Sequence, residues 1–444
     1  MKKSTLSILV TMALVMTGCS TNVNSIKTKS INTAAALKSE SEQKNVKNSE
    51  TKQNLQITRH PKPANFHRGK LDVLPKYNPN SNKMWQMDLR GYDLSDLNLQ
   101  GREKDLMYAD FDSVTKWPDK LPKDFNPNKI MEVGKNPGLC IRQLHKKGIT
   151  GKGIGIAIID QPLLVDHKEY KHNLKMYEEI HWPKQSVDAQ MHGPAVASIA
   201  VGDTVGVAPE ADLYYIAEQH GDFKDGEFKW DFTWLAKSID RVLEVNKNLP
   251  KDKKIRVISI SVGWNKDQKG YKEVTEAVER AKKQGIFVVS SSLSEIYGYF
   301  FQGLGKNPLK NSDNINSYEP GMWWAEEFYK IKNKNIDKTN ESIAEIMNKM
   351  LLIPMDSRTT ASPTGNDDYV FYREGGWSWS IPYIAGLYVL ACQVNPDVTP
   401  DTFWNEALKT GDTIKIQHDG KKYDLGKIVN PQKMIENIKG NKNK

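Results

Sequence analysis

Three residues stand where a reactive side chain would be held at the end of a buried element. Asp160 ends the apolar run IGIAIID, His192 begins the small-residue stretch HGPAVASIAVG, and Ser378 lies near the start of the apolar stretch GGWSWSIPYIAGLYVLACQVNP. Singly, an acid at a strand end often caps a helix or binds a metal, a lone histidine is usually structural, and the serine stretch is typical of a buried helix. Together they supply an acid, a base and a nucleophile.

These three side-chain types have complementary roles in acyl transfer. Serine is a weak nucleophile until a base takes its proton, and imidazole titrates near neutral pH. A buried carboxylate fixes the tautomer whose acceptor nitrogen faces the serine. A serine at a helix N-terminus also gains from free amides and the helix dipole, which stabilise a developing oxyanion. Ser380, two residues after Ser378, is a second hydroxyl to consider.

The elements that must position these residues alternate between strands and helices. Four continuous apolar runs are typical of parallel strands buried on both faces. They span residues 154–160, 212–217, 255–262 and 286–292. Helical stretches precede the third and fourth runs, and the latter stretch ends at Gly285 as a helix C-cap does. This alternation predicts a doubly wound α/β domain, in which ligands bind at the carboxyl ends of the strands.

The serine stretch predicts a helix that passes through a crowded core. Its small residues Ala385 and Gly386 permit close packing. We expect Pro382 in the first turn, where the amides need no partner, and the helix end at Asn395 and Pro396.

In the order Asp, His, Ser, these motifs resemble those of the subtilisin-like serine peptidases. GITGKGIGIAIID resembles the family's first strand, HGPAVAS stands where the family has HGTHVAG, and GWSWSIPYIAG stands where it has GTSMAxPHVAG. The resemblance covers about residues 136–435 and implies a subtilisin-like, doubly wound, mainly parallel sheet with helices on both faces. It implies that Asp160 orients the imidazole, His192 is the general base and acid, and Ser378 attacks the carbonyl. Only Ser378 has the family's spacing of four to Pro382.

Two further segments extend the resemblance toward the substrate. GVAPEADLYYIA resembles the family's next strand, and SISVGW resembles its substrate-binding strand. The latter implies that Ser261, Val262 and Gly263 bind the substrate.

The oxyanion hole is the main departure from the family. After IFVVSSS the family has a Gly-Asn whose side-chain amide donates to the oxyanion, but Leu293 and Ser294 occupy those places here. The Ser294 hydroxyl is the expected replacement donor, with shorter reach, beside the backbone amide of Ser378.

Smaller departures change the rim of the expected site. Pro194 and Ala195 replace a Thr and a second His of the family, and Trp377 replaces a Thr. SIAVGDTVGVAP crosses the point where many relatives carry a calcium loop, and Asp203 alone cannot supply six to eight oxygens. We therefore expect no metal and no cofactor.

Residues 295–355 depart most from the family. NSYEPGMWWAEEFYKIKNKN carries aromatic and charged residues in a region that borders the family's substrate cleft. We interpret it as a helical insertion that packs its own aromatics; the alternative is a docking surface for a partner or substrate.

The first residues, MKKSTLSILVTMALVMTGCS, indicate secretion. Two lysines precede an apolar stretch from Leu6 to Met16 that is too short to span a bilayer as a mature helix, as in a signal peptide. Its end, VMTGC, resembles the lipobox of bacterial lipoproteins, which implies that residues 1–18 are removed and that Cys19 carries lipid. The implied location is the outer face of the bacterial cytoplasmic membrane. The alternative is an ordinary secretory peptide with an incidental cysteine.

Two segments separate the expected anchor from the expected peptidase domain at 136–435. Residues 19–60 are rich in Ser, Thr, Asn, Lys and Gln and contain no aromatic residue, which predicts a flexible stalk. Residues 61–135, with leucines at a period of five, are expected to form an N-terminal extension packed on the main domain; a removable propeptide is the alternative. Residues 436–444 are expected to form a basic tail.

Charge and cysteine content limit the partners. The net charge of +9 lies in the terminal segments, and residues 61–430 are formally neutral, so we expect no nucleic-acid partner. Cys140 and Cys392 lie in apolar, helical sequence and are expected to be buried thiols rather than a disulfide.

The expected function is that of a monomeric, membrane-anchored extracellular serine endopeptidase that hydrolyses polypeptides through an acyl-enzyme. The alternative is a catalytically weak subtilisin-like protein that binds peptide or protein partners without turnover. The three candidate catalytic residues favour the first, and the missing oxyanion asparagine favours the second.

Overall fold

The computed structural model describes residues 55–81, 83–183 and 185–440. The predicted signal peptide, Cys19 and residues 20–54 of the predicted stalk lie outside these ranges, as do residues 441–444. None of the helices in the described part of the chain combines the length and the apolarity that crossing a bilayer requires.

The strands form a central sheet, a second mixed sheet and three smaller sheets. In chain order they are β1 (Gly69–Lys70), β2 (Tyr92–Asp93), β3 (Phe111–Asp112), β4 (Gly155–Asp160), β5 (Leu174–His181), β6 (Asp212–Glu218), β7 (Gly221–Lys224), β8 (Glu227–Trp230), β9 (Ile255–Ile260), β10 (Phe287–Ser290), β11 (Phe300–Lys306), β12 (Tyr318–Pro320), β13 (Met350–Pro354), β14 (Arg358–Ala361), β15 (Tyr369–Tyr372), β16 (Asp412–His418) and β17 (Lys421–Ile428).

The helices connect and cover these sheets. In chain order they are α1 (Glu103–Leu106), α2 (Pro127–Lys135), α3 (Ile141–Lys146), α4 (His192–Val201), α5 (Thr233–Asn248), α6 (Tyr271–Lys283), α7 (Leu293–Tyr297), α8 (Ala325–Asn333), α9 (Ile336–Thr339), α10 (Glu341–Lys349), α11 (Trp377–Val394), α12 (Pro400–Thr410) and α13 (Pro431–Gly440).

The central sheet has five parallel strands in the order β10-β9-β4-β6-β5. Its apolar strands are buried because α4 and α11 pack on one face and α5 and α6 on the other. The prediction of a doubly wound, mainly parallel sheet with helices on both faces is therefore confirmed. The edge strand β5 was not predicted, because its sequence LKMYEEIH turns polar where the strand is only half-buried.

The helix α11 lies between the central sheet and the second sheet. It packs against β9 on one side and β13 on the other. The second sheet has the order β12-β11-β13-β17-β16, with β11, β13 and β17 parallel and the outer strands antiparallel. Gly386 permits the close packing of α11, since a Cβ there would lie 2.7 Å from the Cβ of Val207.

The predicted N-terminal extension adds a strand and a small core to the main domain. β3 pairs antiparallel with β15, which places Phe111 opposite Phe371. The leucines at a period of five, Leu89, Leu94 and Leu99, are fully buried in a cluster that includes both phenylalanines. The extension thus packs on the main domain through β3 and this shared cluster.

The helical insertion expected at residues 295–355 is only partly right, because the segment also supplies β11, β12 and β13 to the second sheet. The segment contains α8, α9 and α10, and its residues Trp324 and Phe328 are buried. The segment is therefore an integral part of the second sheet, and its helices bury aromatic residues between them and that sheet.

The C-terminus and the cysteines differ in detail from the sequence interpretation. α13 continues to Gly440 with Ile438 fully buried, so the helix crosses the expected start of the tail at 436. Cys140 and Cys392 are both free thiols. Burial raises the pKa of Cys392 to about 12, whereas Cys140 is only half-buried and precedes α3 in a left-handed conformation.

Candidate active site

Asp160 and His192 are brought together at the carboxyl end of the central sheet. Asp160 is the last residue of β4 and His192 the first residue of α4. Nδ1 of His192 donates to Oδ1 of Asp160 at 2.7 Å. A carboxylate only accepts, so this contact assigns the proton to Nδ1 and leaves Nε2 as the acceptor. The pair therefore has the tautomer that a general base needs.

Gly193 explains how the start of α4 comes so close to the end of β4. A Cβ at this position would lie 2.3 Å from the carbonyl oxygen of Gln161. The amide of Gln161 also donates to Oδ1 of Asp160 at 2.7 Å, which holds the carboxylate in place. The His-Gly pair in the sequence is thus a packing requirement of the site.

Ser378 and His192 are the accessible positions of two otherwise buried helices. In α11 every residue from Trp377 to Cys392 is buried except Ser378. In α4 every residue is buried except His192, whose side chain is 17% exposed. Ser380 is fully buried, and its hydroxyl donates to the carbonyl of Pro354 at 3.3 Å. Access to solvent therefore distinguishes Ser378 from its neighbour.

Trp379 links the serine helix to the histidine. Its ring centroid lies 5.3 Å from that of His192. No hydrogen bond joins Ser378 to His192 in the described part of the chain, and the Ser378 hydroxyl instead donates to the carbonyl of Ser261 at 3.4 Å. Catalytic hydrogen bonds are often long or poorly aligned without substrate, so this geometry is compatible with a nucleophile and a base.

The position of Pro382 differs from the expectation. α11 begins at Trp377, so Pro382 lies in its second turn, inside the helix. An amide at this position would donate to the carbonyl of Ser378, four residues earlier, but proline has none. The hydroxyl of Ser261 donates to that carbonyl at 3.3 Å instead.

The turn before Ser378 is held by an acid that sequence reasoning missed. The two carboxylate oxygens of Asp356 accept from the amides of Gly375 and Met322, each at 2.8 Å. Burial raises the pKa of Asp356 to about 6, although the Arg373 charge and these hydrogen bonds oppose the rise. Asp356 follows an apolar run with no recognisable motif, so its partners could not be inferred from local sequence.

The predicted substrate-binding residues Ser261, Val262 and Gly263 follow β9 directly. The carbonyl of Val262 accepts from the amide of Ser291 at 3.2 Å. The backbone of Gly263 makes no hydrogen bond within the described residues, so its amide and carbonyl are free to pair with another chain. Trp264 turns into the core and is buried beside Phe232, 6.2 Å between ring centroids.

Ser294, the predicted oxyanion donor, lies in the short helix α7. Its hydroxyl donates to a carboxylate oxygen of Glu295 at 2.8 Å. To serve an oxyanion, the hydroxyl would first have to leave this acceptor. Its role remains a prediction.

The described residues contain no group of three or more His, Cys, Asp or Glu side chains that could hold a metal ion. Oδ1 of Asp203 lies 2.8 Å from Nε2 of His172.

A comparison with protein-family models matches residues 151–292 to the subtilase family, Peptidase S8. The match contains Asp160, His192 and the 261–263 segment. The major intracellular serine protease of Bacillus subtilis (strain 168) is 28% identical over 181 residues, which cover 38% of this chain and 52% of that protein. The chain thus spans about half the length of this relative.

Solved structures show partial similarity. The prenylagaramide maturation protease PagA has a TM-score of 0.43 at 15% identity, over 68% of this chain and 98% of that chain. The PatG macrocyclase in complex with peptide has a TM-score of 0.45 at 13% identity, over 68% of this chain and 96% of that chain.

Proposed function

This chain belongs to the subtilase family of serine peptidases, and on that premise we propose that it is an active serine endopeptidase. Asp160, His192 and Ser378 form its catalytic triad. Its substrate is an extended polypeptide segment that lies along Ser261–Gly263. The protein is anchored by lipid on Cys19 and acts outside the cytoplasmic membrane.

One observation carries the proposal more than any other. His192, hydrogen-bonded to Asp160 at 2.7 Å, and Ser378 lie at the accessible starts of two buried helices, and Trp379 beside Ser378 packs on His192. This places a base in its acceptor tautomer and an accessible serine hydroxyl at neighbouring helix starts, as acyl transfer requires.

The reaction follows from these positions. Nε2 of His192 takes the hydroxyl proton of Ser378 as Oγ attacks the substrate carbonyl carbon. The negative charge moves to the carbonyl oxygen, near the N-terminal amides of α11. His192 then gives the proton to the leaving amine, which departs as the acyl-enzyme forms. Water, deprotonated by the same imidazole, releases the acid and restores Ser378.

A second candidate function is peptide binding without turnover. The loss of the family's oxyanion amide and the engagement of the Ser294 hydroxyl with Glu295 favour it. In that case the unpaired backbone of Gly263 would still bind an extended chain by strand addition.

The two candidates differ in how mutations combine. With a quenched fluorescent peptide, the active enzyme predicts a fall in turnover of about 10³-fold or more for Ser378→Ala. Adding His192→Ala to that variant should remove little more, because triad members act as a unit. Binding of the peptide to all variants with no Ser378-dependent turnover in the wild type would support the second candidate.

A further inference from the structure

We propose that Arg90, in the N-terminal extension, is a positioning residue for His192 that acts through Tyr372 and Trp379. This inference rests on the proposed function, since it takes His192 as the general base. The four side chains form a continuous series of contacts from the extension to the imidazole.

The series begins with a guanidinium held in a fixed orientation. Nε and Nη2 of Arg90 donate to the two oxygens of Asp88 at 2.7 and 2.9 Å. Burial alone would raise the pKa of Asp88, but the hydrogen bonds and charges of Arg90 and Arg68 outweigh it and lower the pKa. Asp88 therefore stays ionised, and the planar fork of Arg90 is fixed by two charge-assisted bonds.

Arg90 in turn holds the ring of Tyr372, the last residue of β15. The guanidinium carbon lies 5.3 Å from the ring centroid, and Nη1 donates to the phenolic oxygen at 3.3 Å. Tyr372 is buried, so both the cation–π contact and the hydrogen bond are shielded from water. They restrain the ring from above and at its hydroxyl.

Tyr372 passes this restraint to Trp379, and Trp379 to His192. The Tyr372 and Trp379 rings meet edge to face, 5.0 Å apart at 82°. Trp379 is buried and lies 5.3 Å from the His192 ring at 58°. The hydrogen bond to Asp160 restrains only Nδ1, so the imidazole can still tilt about its bond to Cβ. The Trp379 contact removes this freedom and keeps Nε2 directed at its target.

If Arg90 positions His192, residues 61–135 are needed in the mature enzyme. The same extension supplies β3 to the sheet of β15, and Asp110 accepts from the amide of Arg373, the residue after Tyr372, at 2.8 Å. Removal of the extension would therefore release the segment that supports Trp379. This favours a permanent part of the enzyme over a removable propeptide.

The test uses the full chain and three single variants. Arg90→Met should lower kcat about tenfold, with KM within twofold of wild type, because a misplaced base slows the chemical step and leaves substrate binding intact. Arg90→Lys, which returns a cation above the ring, should recover part of the loss. Arg68→Met is the matched control: Arg68 also pairs with Asp88, at 2.8 Å, but does not contact Tyr372, and its kcat should equal that of wild type.

A double-mutant cycle separates positioning from general destabilisation. In a Trp379→Met background, Arg90→Met should cost little more, since the series is already broken. If Arg90→Met does not fold, Tyr372→Phe tests the same contact, because it keeps the ring and loses only the hydroxyl that accepts from Arg90. Its kcat should fall about threefold at unchanged KM.

The outcomes are distinguishable from a failure of the proposed function. Equal kcat for Arg90→Met and Arg68→Met, an unchanged kcat for Tyr372→Phe, or fully additive losses in the cycle would overturn the positioning role alone. A wild type without Ser378-dependent turnover would overturn the proposed function and this inference with it.

Discussion

Ser261 and Ser378 are hydrogen-bonded to each other in both directions. The hydroxyl of Ser261 donates to the carbonyl of Ser378 at 3.3 Å, and the hydroxyl of Ser378 donates to the carbonyl of Ser261 at 3.4 Å. The first bond replaces the one that Pro382 cannot make within α11. It joins the helix of the proposed nucleophile to the proposed substrate-binding strand.

Ser261→Ala should therefore destabilise the protein through an unpaired carbonyl. We expect a loss of about 1–3 kcal/mol in the free energy of unfolding, measured in urea. In a Pro382→Ala background the restored amide can donate to the Ser378 carbonyl, and the same substitution should cost less. An equal cost in both backgrounds would show that the Ser261 hydroxyl does not compensate for the proline.

The Ser294 hydroxyl is predicted to donate to the oxyanion. Ser294→Ala should then lower kcat with little change in KM, because the donor acts mainly in the transition state. The rise in activation free energy should be smaller than the roughly 2.7–4 kcal/mol that a well-aimed donor contributes. Because Ser294 now donates to Glu295, Glu295→Ala should free the hydroxyl and raise kcat. Steady-state kinetics on one peptide tests both. Unchanged kcat in Ser294→Ala would exclude this residue as the donor.

The side chain of Glu374 should make the free energy of unfolding depend on pH. Burial, aided by the charge of Asp356, raises its pKa to about 7, although the Trp85 amide donates to it at 3.0 Å. The folded state therefore holds this proton while the unfolded chain loses it, so the group lowers stability as pH rises from about 4.5 to about 7. Below that window both states are protonated and the effect is absent.

Glu374→Gln should consequently stabilise the protein more at pH 8 than at pH 4.5. The amide keeps an oxygen that can accept from Trp85, and the gain at pH 8 should be on the order of 2 kcal/mol. Thermal unfolding of both proteins at the two pH values measures it. An equal difference at both values would contradict the raised pKa.

The sequence predicted the parts of the fold whose signals are local. The apolar runs that became β4, β6, β9 and β10 are buried on both faces and leave an unambiguous pattern. β5 is an edge strand, half-buried at its end, and its mixed sequence hid it. Pairing between β3 and β15 joins segments about 260 residues apart, which no local pattern encodes.

In the candidate site, too, the sequence predicted the residues that lie in local motifs and missed those that act through long-range contacts. Asp160, His192 and Ser378 each lie in a recognisable sequence motif, whereas the residues that support them do not. Asp356 and Arg90 act through long-range contacts with Gly375 and Tyr372, and neither lies in a motif. Pro382 lies one turn deeper in α11 than predicted, because the sequence does not fix the start of a helix to the residue.

Cys19 is predicted to carry the membrane anchor. Cys19→Ala should release the protein from the cell surface into the medium, because the substitution removes the acyl chains that would form a stable tether. Fractionation of cells and mass spectrometry of the mature N-terminus measure this. A wild type that is already soluble and begins at Ser20 or later would contradict lipidation.

Covalent labelling with a fluorophosphonate probe tests most directly whether Ser378 is an activated nucleophile. We expect one adduct on the wild type, mapped by mass spectrometry to the peptide that contains Ser378. Ser380→Ala, which removes the buried neighbouring hydroxyl, should still be labelled, and Ser378→Ala should not. Absence of labelling in the folded wild type, or equal labelling of wild type and Ser378→Ala, would contradict the claim.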